Sequence, residues 1–218
     1  MTKLVWDQTG ERTYENGIEQ AALYPMSNSV YGAGVAWNGF TGFTQSPSGA
    51  ETTAIYANDS KYGELLSNEE FGGTITAYTY PDEFAECDGS AEIAPGVLIG
   101  QQERKTFGLV YKTLIGNDTE GTAHGYKLHI VYGCKAKPSE KAYKTINDSP
   151  EAMEMSWEVT TTPVPVTGHK PTSHLEINST TVQADKLKKL EESLYGNESG
   201  EAKLLLPDEV LAMMNAGQ

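Results

Sequence analysis

Four carboxylates, Asp82, Glu83, Glu86 and Asp88, crowd together after a run, Thr74 to Tyr80, rich in tyrosine and threonine. Acids set beside aromatic rings imitate the site of a glycoside hydrolase, in which one carboxyl group protonates the leaving oxygen and a second attacks or activates water. That chemistry needs two carboxylates at a defined separation, and nothing local delivers a second one. An acidic run after a strand ordinarily forms a solvated turn or the start of a helix. The histidines fall into pairs, His124 with His129 and His169 with His174, each spaced by five. In an extended strand that spacing puts the two rings on opposite faces, and no cysteine or carboxylate cluster at zinc spacing accompanies them.

The remaining chemistry-bearing residues are equally isolated. Asn117-Asp118-Thr119-Glu120-Gly121 supplies oxygen ligands without the spacing of a calcium loop, and reads as a turn. No serine sits in a Gly-x-Ser-x-Gly elbow, and neither cysteine, Cys87 or Cys134, has a histidine beside it in sequence. Glycine-rich phosphate loops and dinucleotide fingerprints are missing from the sequence. Tyr78, Tyr80, Phe84, Tyr111, Tyr126, Tyr132 and Trp157 could line a ligand platform, but aromatic residues in strands usually serve as core or cross-strand partners. The expectation is therefore a protein without catalytic residues, metal or cofactor.

The elements that must position these residues are mostly strands. Apolar and polar residues alternate, with Gly, Pro, Asn or Asp between runs, over Glu51–Tyr56, Lys61–Ser67, Thr74–Tyr80, Lys105–Ile115, Tyr126–Ala136, Met153–Thr161 and Ser173–Ser179. Tyr31 to Thr44 reads as a strand bent at its glycines, and Lys3 to Asp7 as a short strand within an arm. Strands at such short spacing predict an antiparallel sandwich or barrel. The Thr160–Thr167 segment, with Pro163 and Pro165, is excluded from a central strand and reads as a loop or exposed edge. Helices are few: one turn over Asp82–Cys87, an amphipathic helix over Ala184–Leu194 with Leu187, Leu190 and Leu194 on one face, and a short one over Pro207–Met214. Domain boundaries follow: an N-terminal arm over 1–30, a β core over 31–180 and a helical C-terminal extension over 181–218.

Composition narrows the function class. The chain has 218 residues, 38% of them hydrophobic, with mean hydropathy -0.45, suiting a sheet-rich protein that keeps much surface in water or buries it on assembly. Sixteen basic residues face 30 acidic ones, a formal charge of -14, which argues against any extended phosphate-binding surface. The same excess does not exclude proximity to DNA, because a passage that lets DNA slide through should repel phosphate. No run approaches the roughly 20 apolar residues of a membrane span, and the first residues lack the pattern of a signal peptide. Synthesis in a cytoplasm is expected, with Cys87 and Cys134 as free thiols.

Several stretches carry a family likeness. They are Leu4-Val5-Trp6-Asp7, Tyr14-Glu15-Asn16-Gly17-Ile18, Gly34-Val35-Ala36-Trp37-Asn38-Gly39, Ser46-Pro47-Ser48-Gly49-Ala50-Glu51 and the Glu70 to Gly116 region with its Pro81-Asp82-Glu83 stop. Pro138-Ser139-Glu140-Lys141-Ala142-Tyr143, Asn147-Asp148-Ser149-Pro150-Glu151-Ala152 and Ser156-Trp157-Glu158-Val159 continue it. Together they resemble the major tail (tail-tube) proteins of long-tailed, non-contractile bacteriophages, over roughly residues 1 to 180.

The resemblance implies a β-sandwich or barrel of the tail-tube type with one or two peripheral helices. It implies assembly into stacked rings, commonly hexameric, that form the hollow virion tail through which double-stranded DNA passes. Expected partners are further copies of the chain and the tape measure, tail terminator and distal tail proteins. Within that frame Asp82, Glu83, Phe84, Glu86 and Arg104, on the long connection from Asp82 to Arg104, are expected to make contacts between subunits. Glu154 and Glu158 are candidates for acids facing the lumen, because they share one parity of a strand whose other face is apolar. A ring-forming terminator or baseplate-adjacent protein of the same fold, or a carbohydrate-binding β-sandwich, are the competing readings.

Overall fold

The computed structural model describes residues 3–146, 148, 151–198 and 200–215. Met1 and Thr2 of the expected arm, Asn147, Ser149 and Pro150, Ser199 and the last three residues of the expected extension lie outside the described residues. The chain is mainly β, with a large antiparallel sheet.

Its elements run β1 (Thr13–Ser27), β2 (Val30–Tyr31), β3 (Val35–Ala36), β4 (Phe40–Gln45), β5 (Ser48–Gly49), β6 (Thr52–Ala57), β7 (Ser60–Leu66), β8 (Glu69–Glu70) and β9 (Gly72–Ala77). A one-turn helix, α1 (Phe84–Cys87), then precedes β10 (Ala91–Ala94), β11 (Val97–Ile99), β12 (Phe107–Asn117) and β13 (Gly121–Ala136). The chain closes with β14 (Met155–Thr160), β15 (Val164–Val166), β16 (His169–Thr172), β17 (His174–Asn178), α2 (Ala184–Tyr195) and α3 (Pro207–Asn215). The large sheet has the order β2-β1-β12-β13-β14-β9-β4, with β17 also on β13 and β3 also on β1.

Burial on both faces explains the central strand. In β12, Phe107, Leu109 and Tyr111 point into one core while Val110 points into another, so the strand reads as a continuous apolar run rather than an alternation. The first core is completed by Ile75 and Ala77 of β9, by Met155, Trp157 and Val159 of β14, and by Trp37 and Phe84. The second is completed by Leu187, Leu190 and Leu194 of α2, by Leu204 and Leu205, and by Val210 of α3. β14 shows the expected period of two, with Met155, Trp157 and Val159 buried and Ser156, Glu158 and Thr160 exposed.

The outer edge of β13 changes partner along its length. Lys127–Val131 pairs with β17, whereas Lys135–Ala136 pairs with β14. Gly133 stands between, with φ +61°, and a Cβ there would lie 2.2 Å from the Thr162 carbonyl oxygen. Only glycine fits a bulge with a backbone this close. The bulge reverses side-chain parity, so that Val131 and Cys134 both enter the first core.

Two sequence expectations are corrected here. Thr13 to Ser27 is an integral strand, with Leu23 and Tyr24 fully buried, so the free arm ends near Arg12. The Lys3–Asp7 stretch forms no strand. The Pro163/Pro165 segment stays out of the central sheet, as expected: Val164–Val166 pairs with β16 as a small ribbon outside it, where its prolines break no central ladder.

The C-terminal helices do not project but cover the second core. The Tyr24 hydroxyl donates to the Leu194 carbonyl, and the Tyr132 hydroxyl donates to the Leu205 carbonyl at 2.8 Å. Lys112, 8% exposed, reaches Glu191 of α2 at 2.5 Å and lies 4.4 Å from the centre of the Tyr126 ring.

Candidate functional site

The acidic cluster after β9 is divided by α1. Phe84 is fully buried, with its ring 4.6 Å from Trp37, 5.2 Å from Trp157 and 5.5 Å from Phe107. It anchors the first core and has no surface to offer a neighbouring subunit, because a helical turn starting just after Pro81 directs it inward. Arg104 is largely engaged within the chain: its Nη1 donates to Asp88 Oδ1 at 3.1 Å and approaches the Ala136 carbonyl at 3.5 Å. Lys141 donates to Asp88 Oδ2 at 2.5 Å, and its ammonium lies 5.0 Å from the centre of the Tyr80 ring. Burial pulls the Lys141 ammonium down, but Asp88 outweighs it and the net shift is upward. Asp82, Glu83 and Glu86 remain on the surface, Glu86 paired with Lys105 at 2.5 Å.

The one buried carboxylate of this cluster is thus neutralised by two cations, which builds structure rather than a reactive pair. Burial, then Glu86, pushes the Cys87 thiol up to about 12, and burial likewise raises Cys134. Both cysteines are free and buried, unlike the partly exposed, electropositive settings that activate a thiolate. Among the described residues no group of three or more His, Cys, Asp or Glu side chains is placed to hold a metal ion.

The surface shows where apolar area is left without a partner. Leu4, Val5 and Trp6 of the arm are exposed, Trp6 by 73%. The ribbon β6–β7 pairs only with itself, turning through Asn58 and Asp59 at φ 50° and 57°, the geometry of a tight hairpin turn. It exposes Tyr56, Tyr62, Leu65 and Leu66. A second self-paired ribbon, β10–β11, lies within the connection from Asp82 to Arg104 and exposes Ile93, Val97, Leu98 and Ile99. Tyr143 and Ile146 are exposed on the segment after β13. Two-stranded ribbons are marginal in water, and these carry large apolar side chains that nothing within the chain covers.

The outer face of β14, β9 and β4 is chemically different. Ser156 lies opposite Thr76 and Glu158 opposite Thr74, which in turn lies opposite Thr44. Glu154 accepts from Thr41 Oγ1 at 2.5 Å, and Glu158 pairs with Lys137. Glu154 and Glu158 thus lie on an exposed face of hydroxyls and carboxylates, at the end of the sheet where β4 has a free edge.

A pair that sequence spacing could not reveal is His129 with His174. The spacing of five couples each to another histidine, but strand pairing of β13 with β17 brings these two together, Nδ1 to Nε2 at 3.1 Å. His124 instead sits at the β12–β13 turn, 2.8 Å from Glu120.

Compared with known proteins, the chain matches no family model and no curated sequence.

Proposed function

We propose that the protein is a structural virion subunit that assembles with copies of itself into stacked rings, hexameric by the family resemblance, forming the tube of a long-tailed phage. The observation that carries this reading is the grouping of unpartnered apolar residues on self-paired ribbons: Tyr56, Tyr62, Leu65 and Leu66 on one, Ile93, Leu98 and Ile99 on the other. Burying each such side chain against a neighbour contributes about 1.5–3 kcal/mol, enough in combination to drive association. The free edge of β4 invites strand pairing between subunits, and a head-to-tail interface of that kind gives a ring when it closes and a filament when it does not.

Strands from separate parts of the large sheet, β1, β12 and β13 with β9 and β14, contribute side chains to the first core, which supports the finer reading of a tail-tube sandwich. In this assembly the hydroxyl and carboxylate face bearing Glu154 and Glu158 lines the lumen, and the charge of -14 per subunit repels the phosphates of passing DNA. Tape measure, terminator and distal tail proteins are the other partners, and the virion tail is the place of action.

Negative-stain electron microscopy of the concentrated protein across a salt series tests the reading. Long hollow tubes with a regular axial repeat are expected. Discrete rings that never stack would transfer the proposal to a terminator-like role, and a monomer at every concentration and salt would overturn assembly altogether.

A further inference from the structure

Four rings from separate elements are joined by close contacts. Tyr111 of β12 lies face to face with His129 at 4.7 Å and 11°, Phe71 lies face to face with His174 at 4.9 Å and 10°, and the two imidazoles lie edge to edge in nearly one plane, their centres 5.4 Å apart at 6°. Phe71 stacks in turn on Phe43, at 6.4 Å. Phe71 directly precedes β9 and stands at the root of the projecting segment that carries the β6–β7 ribbon. The root is also held by backbone: the Thr161 hydroxyl donates to the Phe71 carbonyl at 2.6 Å, the Ser46 amide donates to the Gly72 carbonyl at 2.8 Å, Gly72 pairs with Thr160 and Gln45 with Gly73, and β5 pairs with β8.

The imidazole pair depends on protonation. His129 is 4% exposed, its Nε2 lies 2.9 Å from Thr113 Oγ1, and its Nδ1 faces Nε2 of the half-buried His174 at 3.1 Å. One proton between the facing nitrogens makes a hydrogen bond of neutral rings. A first added proton puts charge beside the buried His129, and a second forces two N–H groups to face each other. Burial opposes charge on both imidazoles. The charged groups around them are Glu176 of β17, Glu15 of β1 and Lys127 of β13, and Lys127 pairs with both carboxylates. Tyr111, whose hydroxyl accepts from Gln45 at 3.1 Å, stays neutral. Among the described residues no carboxylate is hydrogen-bonded to either ring.

We infer that the His129–His174 pair is a proton-sensitive latch that fixes the root of the projecting 46–72 segment at neutral pH and releases it in acid. Release frees Phe71 from His174, so that the ribbon bearing Tyr56, Tyr62, Leu65 and Leu66 loses its fixed direction while the rest of the core persists. The inference stands on these ring contacts and the facing nitrogens, and holds whether or not the chain forms tubes.

Hydrogen exchange of the full chain at low protein concentration, corrected for intrinsic rates, tests it. Between pH 7 and pH 4.5, protection over residues 46–72 should fall by at least about tenfold, while amides of β12 keep theirs. The double variant His129→Gln with His174→Phe, which retains a flat ring beside Phe71 but cannot take up protons, should abolish the pH dependence. In the unaltered protein, imidazole NMR titration should show both rings titrating below the ordinary histidine range, so the inference remains testable if the variant fails to fold. Unchanged protection over 46–72, loss of protection spread evenly over the chain, a pH response surviving in a folded double variant, or both rings titrating near 6.5 would each overturn it.

Discussion

Lys141 and Asp88, fifty-three residues apart, close an ion pair at 2.5 Å beneath the ring of Tyr80, with Arg104 completing the pair at 3.1 Å on the other carboxylate oxygen. The Asp88 side chain is 8% exposed, so its charge depends on both cations for compensation. This triad ties the segment after β13 to the turn that follows α1.

Removing the carboxylate leaves two cations without their partner. Asp88→Asn should destabilise the monomer by about 3 kcal/mol, whereas breaking the separate, exposed Lys105–Glu86 pair by Lys105→Ala should cost no more than about 1 kcal/mol. Urea unfolding of the two variants side by side checks the contrast; equal small effects would show that the triad is not held as described.

The histidine pair makes local stability at the root of the 46–72 segment depend on pH. The folded-state value for His129 is lowered from 6.5 to about 4, chiefly by burial and then by His174. Its contribution is therefore fully present above about pH 6.5 and is lost as the pH falls toward 4, because the unfolded chain takes up the proton first. A loss of about 2–3 kcal/mol in the opening free energy of 46–72 is expected over that window, and His129→Gln should flatten the slope of that segment's hydrogen-exchange protection against pH.

Gly133 is where β13 passes from β17 to β14. At φ +61°, with the Thr162 carbonyl 2.2 Å from a built Cβ, Gly133→Ala should cost more than about 2 kcal/mol. Gly121 also has positive φ, +60°, but nothing lies within 4 Å of its Cβ position, so Gly121→Ala should cost clearly less. Thermal unfolding of both variants separates steric contact from backbone strain.

Leu190 is fully buried between α2 and the sheet. Leu190→Ala should destabilise by about 2–5 kcal/mol, through lost transfer energy and the cavity left behind. Faster proteolysis within 181–215 would show that α2 and α3 are held by this core.

The ribbon residues should behave in the opposite way. Replacing Tyr56, Tyr62, Leu65 and Leu66 together by serine should leave the monomer's main unfolding transition within about 1 kcal/mol, since these side chains pack little within the chain. Assembly, read by sedimentation or electron microscopy, should be lost. Undiminished assembly in this variant would remove the observation on which the proposed function rests.

What the sequence by itself determined is whatever depends on which face of a local element is buried. The period of two in Met153–Thr161 placed Met155, Trp157 and Val159 inside and Glu158 outside, and the leucine spacing of 184–194 placed α2 on an apolar surface. Those patterns are written in neighbouring residues, so they are legible without a fold. Tertiary structure alone decided the rest. Thr13–Ser27, punctuated by Asn16-Gly17 and by Gln20 at positive φ, looks like an arm until β12 supplies a partner for it. Phe84 passes for a surface contact until α1 turns it inward, and Asp88 for one more solvated acid until Lys141 arrives. His129 meets His174 only because β13 pairs with β17 in one register, and a shift of a single residue would place the two rings on opposite faces of the sheet.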